Sequence, residues 1–268
     1  MPAVSAIIVT LNEAEHIAEA IASLSWTDEV IVVDCGSSDE TVAIARSCGA
    51  RVEFRAWTGW IDQKNFAAGL ARNDWIFSLD ADERVSPPLA REIQALMRTD
   101  PPLGAYRMPR VTFHLGRWIR TTDFYPDYQA RLYDRRLARW RGKYVHESVA
   151  LDTGKPGQLR GELLHYSFRD LRDQIDRINA YTTLGARQMH EAGRRAGAFQ
   201  LLVHPPAAFL RNYILRRGIL DGAVGLTISM LQAWSVFLKF AKLRELQTTP
   251  SSQLDHTPTP KHVESGNG

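Results

Sequence analysis

The sequence has few cysteines and none of the common phosphate-binding motifs. Its two cysteines, Cys35 and Cys48, exclude a disulfide-stapled scaffold and make a reducing compartment the expectation. No G-x-G-x-x-G and no G-x-x-x-x-G-K-[ST] occurs, so dinucleotide-binding and P-loop functions lose their main support. Residues 1–11 also lack the basic segment of a secretory signal. We therefore expect a protein that works in the cytoplasm.

Charge is unevenly distributed along the 268 residues. With 44% hydrophobic and 24% charged residues, the composition is that of a globular protein and excludes a collagen-like or wholly disordered chain. The net charge of +3 conceals two different parts. Residues 1–100 carry 8 Lys/Arg and 16 Asp/Glu, whereas residues 101–268 carry 25 and 14. The function must account for an acidic front and a basic rear.

Alternating strand and helix patterns predict an α/β fold in the first hundred residues. Runs rich in β-branched residues predict strands over 4–10, 29–33, 51–54 and 75–79. Helices are predicted from Asn12, over about 37–48, and over 61–71 and 87–97. Asn12 with Glu15, and Ser37 with Glu40, fit capping boxes for the first two helices. This alternation predicts a mostly parallel sheet flanked by helices.

Polar and acidic residues follow three of the predicted strands. They are Asn12-Glu13, Asp34 and Asp80-Ala81-Asp82-Glu83. Helix capping does not explain Asp34 and Asp80, because both end strands rather than begin helices. Ligands of parallel sheets bind beyond the carboxyl ends of the strands, so we expect a ligand site there. The Asp80-x-Asp82 pair suits a hard divalent cation such as Mg²⁺, which takes one or two carboxylates from protein and further oxygens from water and phosphate.

Three linked motifs carry a resemblance to a known family. They are Thr10-Leu11-Asn12-Glu13, Asp34-Cys35-Gly36-Ser37-Ser38-Asp39-Glu40-Thr41 and Leu79-Asp80-Ala81-Asp82-Glu83. Their order and spacing resemble the family 2 glycosyltransferases with the GT-A fold, over about residues 4–150. Two further segments resemble the subgroup that adds glucose or a related sugar to the inner core of bacterial lipopolysaccharide. These are Gln63-Lys64-Asn65 and Val145-His146-Glu147.

The resemblance implies roles for residues of the first half. Asp34 would contact the base of a nucleotide sugar. Asp80 would lie near the ribose and the metal, and Asp82 would be the main ligand of Mg²⁺ or Mn²⁺ on the diphosphate. Lys64 is a candidate for contact with the diphosphate, with a solvated helix lysine as the alternative. The other residues expected at the nucleotide-sugar site are Thr10, Leu11, Asn12, Glu13, Gly36, Ser37 and Ala81.

The resemblance also implies inversion at the anomeric carbon, which requires a base for the acceptor hydroxyl. Many members carry this base in a Glu-Asp pair after the D-x-D motif, and this sequence has no such pair. Glu147 is the candidate here, and its basic neighbourhood is expected to keep it ionised. The alternative is a surface ion pair with Arg141 or Lys143.

Further residues are assigned to the leaving group and the acceptor. Arg131 is expected to stabilise the departing phosphates, although an ordinary ion pair explains an arginine there nearly as well. The residues expected on the acceptor side are Glu83, Tyr128 and His146.

The basic rear half offers two functional interpretations. Residues 101–147 hold 10 basic and 4 acidic residues, interleaved with aromatics. This composition suits either a phosphorylated glycolipid acceptor or a nucleic acid. The glycosyltransferase motifs favour the glycolipid, so no nucleic-acid partner is expected.

Residues 222–238 are uncharged and are flanked by arginines and lysines. An interfacial helix on an anionic membrane, a core or oligomer-forming helix and a transmembrane span all fit this pattern. We expect a catalytic domain over 1–160, with a nucleotide-sugar half (1–100) and an acceptor half (101–160). A helical, membrane-associating region over 161–247 and a disordered tail over 248–268 are expected to follow it.

The sequence thus predicts an inverting, metal-dependent transferase that moves a hexose from UDP-glucose to a lipopolysaccharide core sugar. It would work at the cytoplasmic face of the inner membrane. Three alternatives stay open: transfer to a polyprenyl phosphate, a nucleotidyltransferase, and a non-catalytic carbohydrate- or lipid-binding protein.

Overall fold

A mixed β-sheet organises the first half of the protein. The computed structural model describes residues 2–143 and 146–248, except for the side chains of Lys143 and His146. The predicted disordered tail lies, apart from residue 248, outside the described residues. In the described part, residues 2–112 and 126–167 form a first unit, and residues 113–125 and 168–248 form a second.

Strands and helices largely alternate over residues 4–97, and further strands and then three helices follow them. The strands are β1 Val4–Thr10, β2 Glu29–Asp34, β3 Arg51–Phe54, β4 Trp75–Asp80, β5 Glu83–Val85, β6 Ala105–His114, β7 Arg117–Ile119, β8 Asp127–Asp134, β9 Ala138–Lys143, β10 His146–Leu151, β11 Gly157–Gln158 and β12 Leu163–His165. The helices are α1 Ile17–Ala22, α2 Thr41–Ser47, α3 Trp60–Leu70, α4 Pro87–Met97, α5 Leu171–Glu191, α6 Ala198–Leu210 and α7 Gly222–Thr248.

The order of the strands creates a switch point in the sheet. Along its main path the order is β3-β2-β1-β4-β8-β6-β12-β5. The strands β3, β2, β1 and β4 are parallel, and β8 is antiparallel to both β4 and β6. From β1 the chain proceeds to β2 and β3 on one side and returns as β4 on the other. Ligand crevices form at such reversals, beyond the carboxyl ends of the strands.

Both faces of the sheet are covered by apolar side chains, because β1, β2 and β4 alternate between two cores. On one face Ile8, Val32 and Phe77 pack with residues of α1 and α4. On the other, Ile7 and Ile31 pack with residues of α3 and of the β9–β10 hairpin. Burial on both faces explains why these strands are nearly continuous apolar runs in the sequence. The predicted α/β sheet flanked by helices is confirmed.

The predicted capping boxes are wrong. The helix α1 begins only after His16, and α2 after Glu40; neither of these residues caps its helix through its side chain. Asn12 is left-handed, with φ 56°, and its side-chain oxygen accepts the Ser38 N–H at 2.8 Å. Asn12 and Ser37 therefore bond to each other's loop rather than to their own helices.

The region predicted to be helical from residue 161 begins with a strand instead. Leu163–His165 forms β12, parallel to β6 and antiparallel to β5, before α5 begins at Leu171. Leu163 and His165 are buried in these pairings. The strand is only three residues long, so it leaves no periodic pattern in the sequence.

Three helices form most of the second unit. Phe240 and Leu243 of α7 pack with Ala186 of α5 and with Ala196, which lies just before α6. The Lys242 ammonium group donates to the Asn179 carbonyl at 2.7 Å and to the Thr182 hydroxyl at 2.9 Å. The turn and helix spanning Gly218–Thr248 are long and apolar enough to cross a membrane, by length and composition only.

A close backbone approach fixes the start of α7. A Cβ at Gly225 would lie 1.8 Å from the carbonyl oxygen of Gly218. We expect Gly225→Ala to destabilise the protein by about 1–3 kcal/mol through overpacking. The matched control is Gly69→Ala in α3, where a Cβ meets nothing within 4 Å and the change should stabilise by about 0.5–1 kcal/mol. Urea unfolding of both variants measures this, and equal effects would contradict it.

Candidate active site

The loops after β1 and β2 are held together by hydrogen bonds. Thr10, the last residue of β1, lies opposite Asp34, the last residue of β2. The Asn12 N–H donates to the Ser37 hydroxyl oxygen at 2.9 Å. The Glu13 N–H donates to the hydroxyl oxygen of Thr41 at 2.8 Å. The two loops therefore form one fixed wall at the carboxyl edge of the sheet.

Asp34 organises the turn at the end of β2. Its carboxylate is buried and accepts the N–H groups of Gly36 at 2.9 Å and Ser37 at 3.1 Å. Gly36 has φ 109°, a conformation that side chains with a Cβ rarely adopt. Burial, reinforced by the charge of Asp34, raises the pKa of Cys35 to about 11. The Cys35 thiol therefore stays protonated, as expected of a packing residue rather than a nucleophile.

A buried charge cluster lies at the end of β4. Asp80 accepts a hydrogen bond from the Lys64 ammonium at 2.8 Å and is bonded to the Arg131 guanidinium. Arg131 Nη2 also donates to Glu83 Oε1 at 2.7 Å. All four side chains are at most 6% exposed. Burial alone would raise the pKa of Asp80, but Arg131 and Lys64 hold it well below its usual range.

The cluster extends through Glu83 to the surface. Arg110 Nη1 donates to Glu83 Oε1 at 3.0 Å, and Arg110 Nη2 lies 2.7 Å from Asp127 Oδ2. The Asp80 N–H donates to the second Glu83 oxygen at 3.1 Å. Three cations and three carboxylates thus compensate each other, as buried charges require.

Asp82 stands apart from this compensated cluster. Its Oδ2 lies 3.2 Å from Nε2 of His165 on β12, and both side chains are almost fully buried. Asp82 Oδ1 and His165 Nδ1 are buried and have no hydrogen-bond partner. An unpartnered buried carboxylate oxygen is costly unless a ligand completes it. Asp82 and His165 are therefore the residues at this edge that could hold a metal ion.

Helix α3 and the β9–β10 hairpin bring Glu147 to the same edge. The Asn65 side chain donates to the Trp140 carbonyl at 3.0 Å and accepts its N–H at 3.1 Å. The Lys64 ammonium lies 4.2 Å from the Trp140 ring centroid. Glu147, opposite Gly142 in the hairpin, interacts electrostatically with Lys64 and Asp80. Lys64 thus connects the charge cluster to the candidate base.

Burial, rather than the expected positive charge, dominates the electrostatics of Glu147. Its basic neighbourhood in sequence suggested a carboxylate kept ionised by positive charge. Burial instead raises the pKa of Glu147, and the opposing effect of Lys64 does not outweigh it. A carboxylate with a raised pKa is a stronger base at any pH where it stays ionised.

The structure brings most predicted residues together, with several exceptions in detail. Ala81 is buried between Asp80 and Asp82. Leu11 lies in the loop after β1. Tyr128 lies outside the charge cluster: it is 38% exposed, and its hydroxyl accepts from the Gln158 side chain at 3.0 Å. The side chain of His146 and all of Val145 lie outside the described residues.

Three of the assigned residues are already bonded to one another within the protein. Arg131 was predicted on the departing phosphates, yet its Nη2 bonds Asp80 and Glu83. Asp80 was predicted near the metal, yet both its oxygens accept hydrogen bonds from cationic side chains. Glu83, predicted on the acceptor side, is fully buried. Their catalytic roles stay predictions.

Sequence reasoning missed two residues of this site. His165 lies in the short strand interpreted as helix, and its partner Asp82 is 83 positions away. Arg110 lies in β6 among other basic residues, so the sequence does not indicate that it is the one that pairs with Glu83 and Asp127. For His165 a weak signal existed, because the apolar pair Leu163-Leu164 directly before it interrupts a polar stretch of sequence.

Comparison with known proteins identifies the family. The model of "Glycosyl transferase family 2" matches residues 5–150. The chain belongs to glycosyl transferase family 2. It is 32% identical to the lipopolysaccharide core biosynthesis glycosyltransferase LpsC of Rhizobium meliloti, over 89% of this chain and 91% of LpsC. It is 34% identical to the "uncharacterized glycosyltransferase" RP128 of Rickettsia prowazekii, over 92% of this chain and 88% of RP128.

Solved structures support the fold. A mannosyltransferase of Pyrobaculum calidifontis, solved in complex with GDP-Man and Mn²⁺, aligns with a TM-score of 0.51. The alignment covers 92% of this chain and 88% of that one, at 16% sequence identity. Together with the family 2 match, this confirms the predicted GT-A fold and the glycosyltransferase class.

Proposed function

We propose that this family 2 glycosyltransferase is an inverting, divalent-metal-dependent enzyme that moves a hexose from a nucleoside diphosphate sugar to a lipopolysaccharide core sugar. UDP-glucose is the proposed donor. The lipopolysaccharide acceptor is supported by the similarity to LpsC along nearly the whole of both chains. The chemistry is argued from the residues at the carboxyl edge of the sheet.

One observation carries the proposal. Asp82 keeps a buried carboxylate oxygen without a partner, beside a cluster in which every other carboxylate is compensated. A protein that merely packs charges has no reason to leave this oxygen unpaired. A substrate-borne cation would complete it, and a site of this kind argues against a decayed, non-catalytic fold.

The residues present fit a Mg²⁺ or Mn²⁺ ion. In the described part of the chain no group of three or more His, Cys, Asp or Glu side chains is placed to hold a metal. Asp82 and His165 would therefore be the protein ligands, and phosphate and water would complete the set. The chemistry such an ion supplies when bound is neutralisation of charge on the leaving diphosphate.

The remaining steps, nucleoside binding and deprotonation of the acceptor, are assigned to residues of the protein. Asp34 and the fixed wall after β1 and β2 would bind the nucleoside. The acceptor oxygen attacks the anomeric carbon as the bond to the diphosphate breaks, and Glu147 takes the hydroxyl proton. Arg131 would act as a positioning residue that holds Asp80 and Glu83.

An in-line attack of this kind predicts a β-linked product from an α-linked donor, which NMR of the product checks.

The proposed domain boundaries are those predicted from the sequence. Residues 1–160 would form the catalytic domain, and residues 161–247 the helical extension that meets the membrane. The proposed acceptor is lipid-linked, so the enzyme would work at the cytoplasmic face of the inner membrane.

Metal-dependent donor binding tests the proposal. We expect UDP-glucose with Mn²⁺ to stabilise the protein by about 2.7 kcal/mol at a hundredfold excess over Kd. Asp82→Asn should abolish the dependence on Mn²⁺, and His165→Gln should weaken metal affinity about 10- to 100-fold. Thermal shift with a panel of nucleotide sugars measures both effects and identifies the preferred donor.

The matched control is Asp152→Asn, which removes an exposed carboxylate paired with Arg141. It should bind donor and metal as the wild type does. If Asp82→Asn keeps the Mn²⁺ dependence, the metal assignment is wrong. If the enzyme transfers sugar to a polyprenyl phosphate and none to core oligosaccharide, the proposed lipopolysaccharide acceptor is wrong.

A further inference from the structure

Large apolar side chains are exposed in one segment of the second unit. Of the 19 exposed large hydrophobic residues in the described chain, eight lie between residues 199 and 220. Their exposed fractions reach 72% at Leu202 and 77% at Leu215. The eight are Phe199, Leu202, Val203, Leu210, Ile214, Leu215, Ile219 and Leu220. A patch of this density indicates an interaction surface.

Four of these residues, together with Pro206 and Ala207, form a continuous stripe on α6. The exposed positions 199, 202, 203, 206, 207 and 210 are spaced by three and four residues and are all apolar. This spacing places them on one helix face. The opposite side faces the unit, where Ala208 is buried. The helix thus presents an apolar face to solvent along about 20 Å, and the turns that follow extend it through Leu215 and Leu220.

The charged residues of the segment that carries this face are all basic. Residues 192–220 contain five arginines and no acidic residue. Arg211, Arg216 and Arg217 lie directly after the stripe and are all exposed. Arg211 and Arg216 share one carboxylate, Asp123, which compensates only part of their charge. An apolar face bordered by arginines is complementary to an anionic lipid surface.

The chain itself has little with which to cover this face. Residues 249–268 contain only two large aliphatic residues, Leu254 and Val263. Helix α7, which the sequence suggested for membrane contact, instead turns Ile228, Ala233, Phe240 and Leu243 into the unit. Its role in packing leaves α6 as the more exposed apolar element.

Two prolines inside α6 disfavour a position for this helix in the hydrocarbon core of a bilayer. Pro205 and Pro206 lie inside the helix and have no N–H. The carbonyls of Leu201 and Leu202 therefore lose their usual helical donors. Unpaired carbonyls are costly in hydrocarbon but are hydrated at the level of the lipid headgroups. The helix is thus suited to lie on a bilayer rather than to cross it.

We propose that the exposed face of α6, continued through Leu215 and Leu220 and bordered by Arg216 and Arg217, docks on an anionic lipid bilayer. This inference rests on the proposed function for its lipid-linked acceptor and names the surface that reaches it. It moves membrane contact from residues 222–238 to residues 199–220.

Vesicle binding of the full chain tests this docking surface. We expect the wild type to sediment with phosphatidylcholine vesicles that contain phosphatidylglycerol. Leu202→Ser and Leu215→Ser should each weaken partitioning by about tenfold. Arg216→Gln and Arg217→Gln should each weaken it about fivefold, and only on anionic vesicles at low salt. A matched control, Leu137→Ser, changes a leucine of the first unit that is 50% exposed and should leave partitioning unchanged.

The outcomes separate this inference from its rivals. Unchanged partitioning of Leu202→Ser and Leu215→Ser would overturn it, as would loss only in Met230→Ser or Trp234→Ser of α7. Concentration-dependent dimerisation without vesicle binding would also overturn it and make the face a contact between copies. Circular dichroism confirms that each variant is folded. Donor stabilisation by UDP-glucose and Mn²⁺, measured in the same variants, tests the proposed function separately.

Discussion

Glu147→Gln is expected to lower the turnover of sugar transfer by about 10²- to 10⁴-fold, while donor binding stays near that of the wild type. The amide keeps the size of the side chain but cannot accept the acceptor proton. Transfer to a core oligosaccharide measures turnover, and thermal shift with UDP-glucose and Mn²⁺ measures binding. A loss in turnover without a loss in binding identifies a group that acts only in the transition state.

The pH dependence gives an independent readout of the same residue. Burial raises the pKa of Glu147 above the ordinary glutamate value of 4.5. The base must be deprotonated, so kcat/KM is expected to fall as the pH drops through this raised pKa. The acid limb should therefore lie at a higher pH than an unperturbed glutamate would give. In Glu147→Gln this limb should disappear.

The neighbouring residue supplies the control. Ser148 follows Glu147 in β10 and is exposed, and its side chain points to the other face of the hairpin. Ser148→Ala should leave turnover and the acid limb unchanged. If Glu147→Gln transfers sugar at the wild-type rate, the base lies elsewhere. If both variants lose turnover alike, the hairpin matters through its packing.

The central sheet could be predicted from the sequence because its pattern is local. Four β-branched or apolar runs became β1, β2, β3 and β4, with errors of at most one residue at their ends. A strand buried on both faces is apolar throughout, so its pattern does not depend on knowing its neighbours. Asp34 and Asp80, each at the end of such a strand, were placed at the carboxyl edge by the same reasoning.

The partners of the site residues could not be predicted, because they are set by tertiary packing. Asn12 carries a local capping signal, yet its oxygen bonds to Ser38, 26 positions away. Asp82 meets His165 across 83 positions through a strand of three residues. The pKa of Glu147 is raised because burial outweighs the charges, and burial is a property of the fold. Sequence therefore predicted which strand-end residues meet at the carboxyl edge of the sheet, but not their partners or electrostatics.

Arg131→Met is expected to destabilise the protein by about 3–5 kcal/mol, the largest effect on stability that we expect from a single substitution. Arg131 is 2% exposed and bonds both Asp80 and Glu83, which are equally buried. Methionine fills much of the space but leaves these carboxylates short of a counter-charge. Breaking a buried pair costs more than the pair contributes, because a charge remains without its partner in a low-dielectric interior.

Two variants and a change of pH make this expectation specific. Arg141→Met removes an arginine whose ion pair with Asp152 is exposed and should cost about 1 kcal/mol or less. Arg131→Lys keeps the charge without the planar guanidinium group that reaches two carboxylates, so an intermediate loss of stability is expected.

In the wild type the pKa of Asp80 is lowered, so its ion pairs stabilise the fold above the unfolded pKa and are lost as the pH falls. Without Arg131, protonation relieves the uncompensated charge. The destabilisation measured by urea unfolding should therefore be largest near neutral pH and smaller near about pH 4. An equal loss at both pH values would mean that packing, rather than charge, makes Arg131 important.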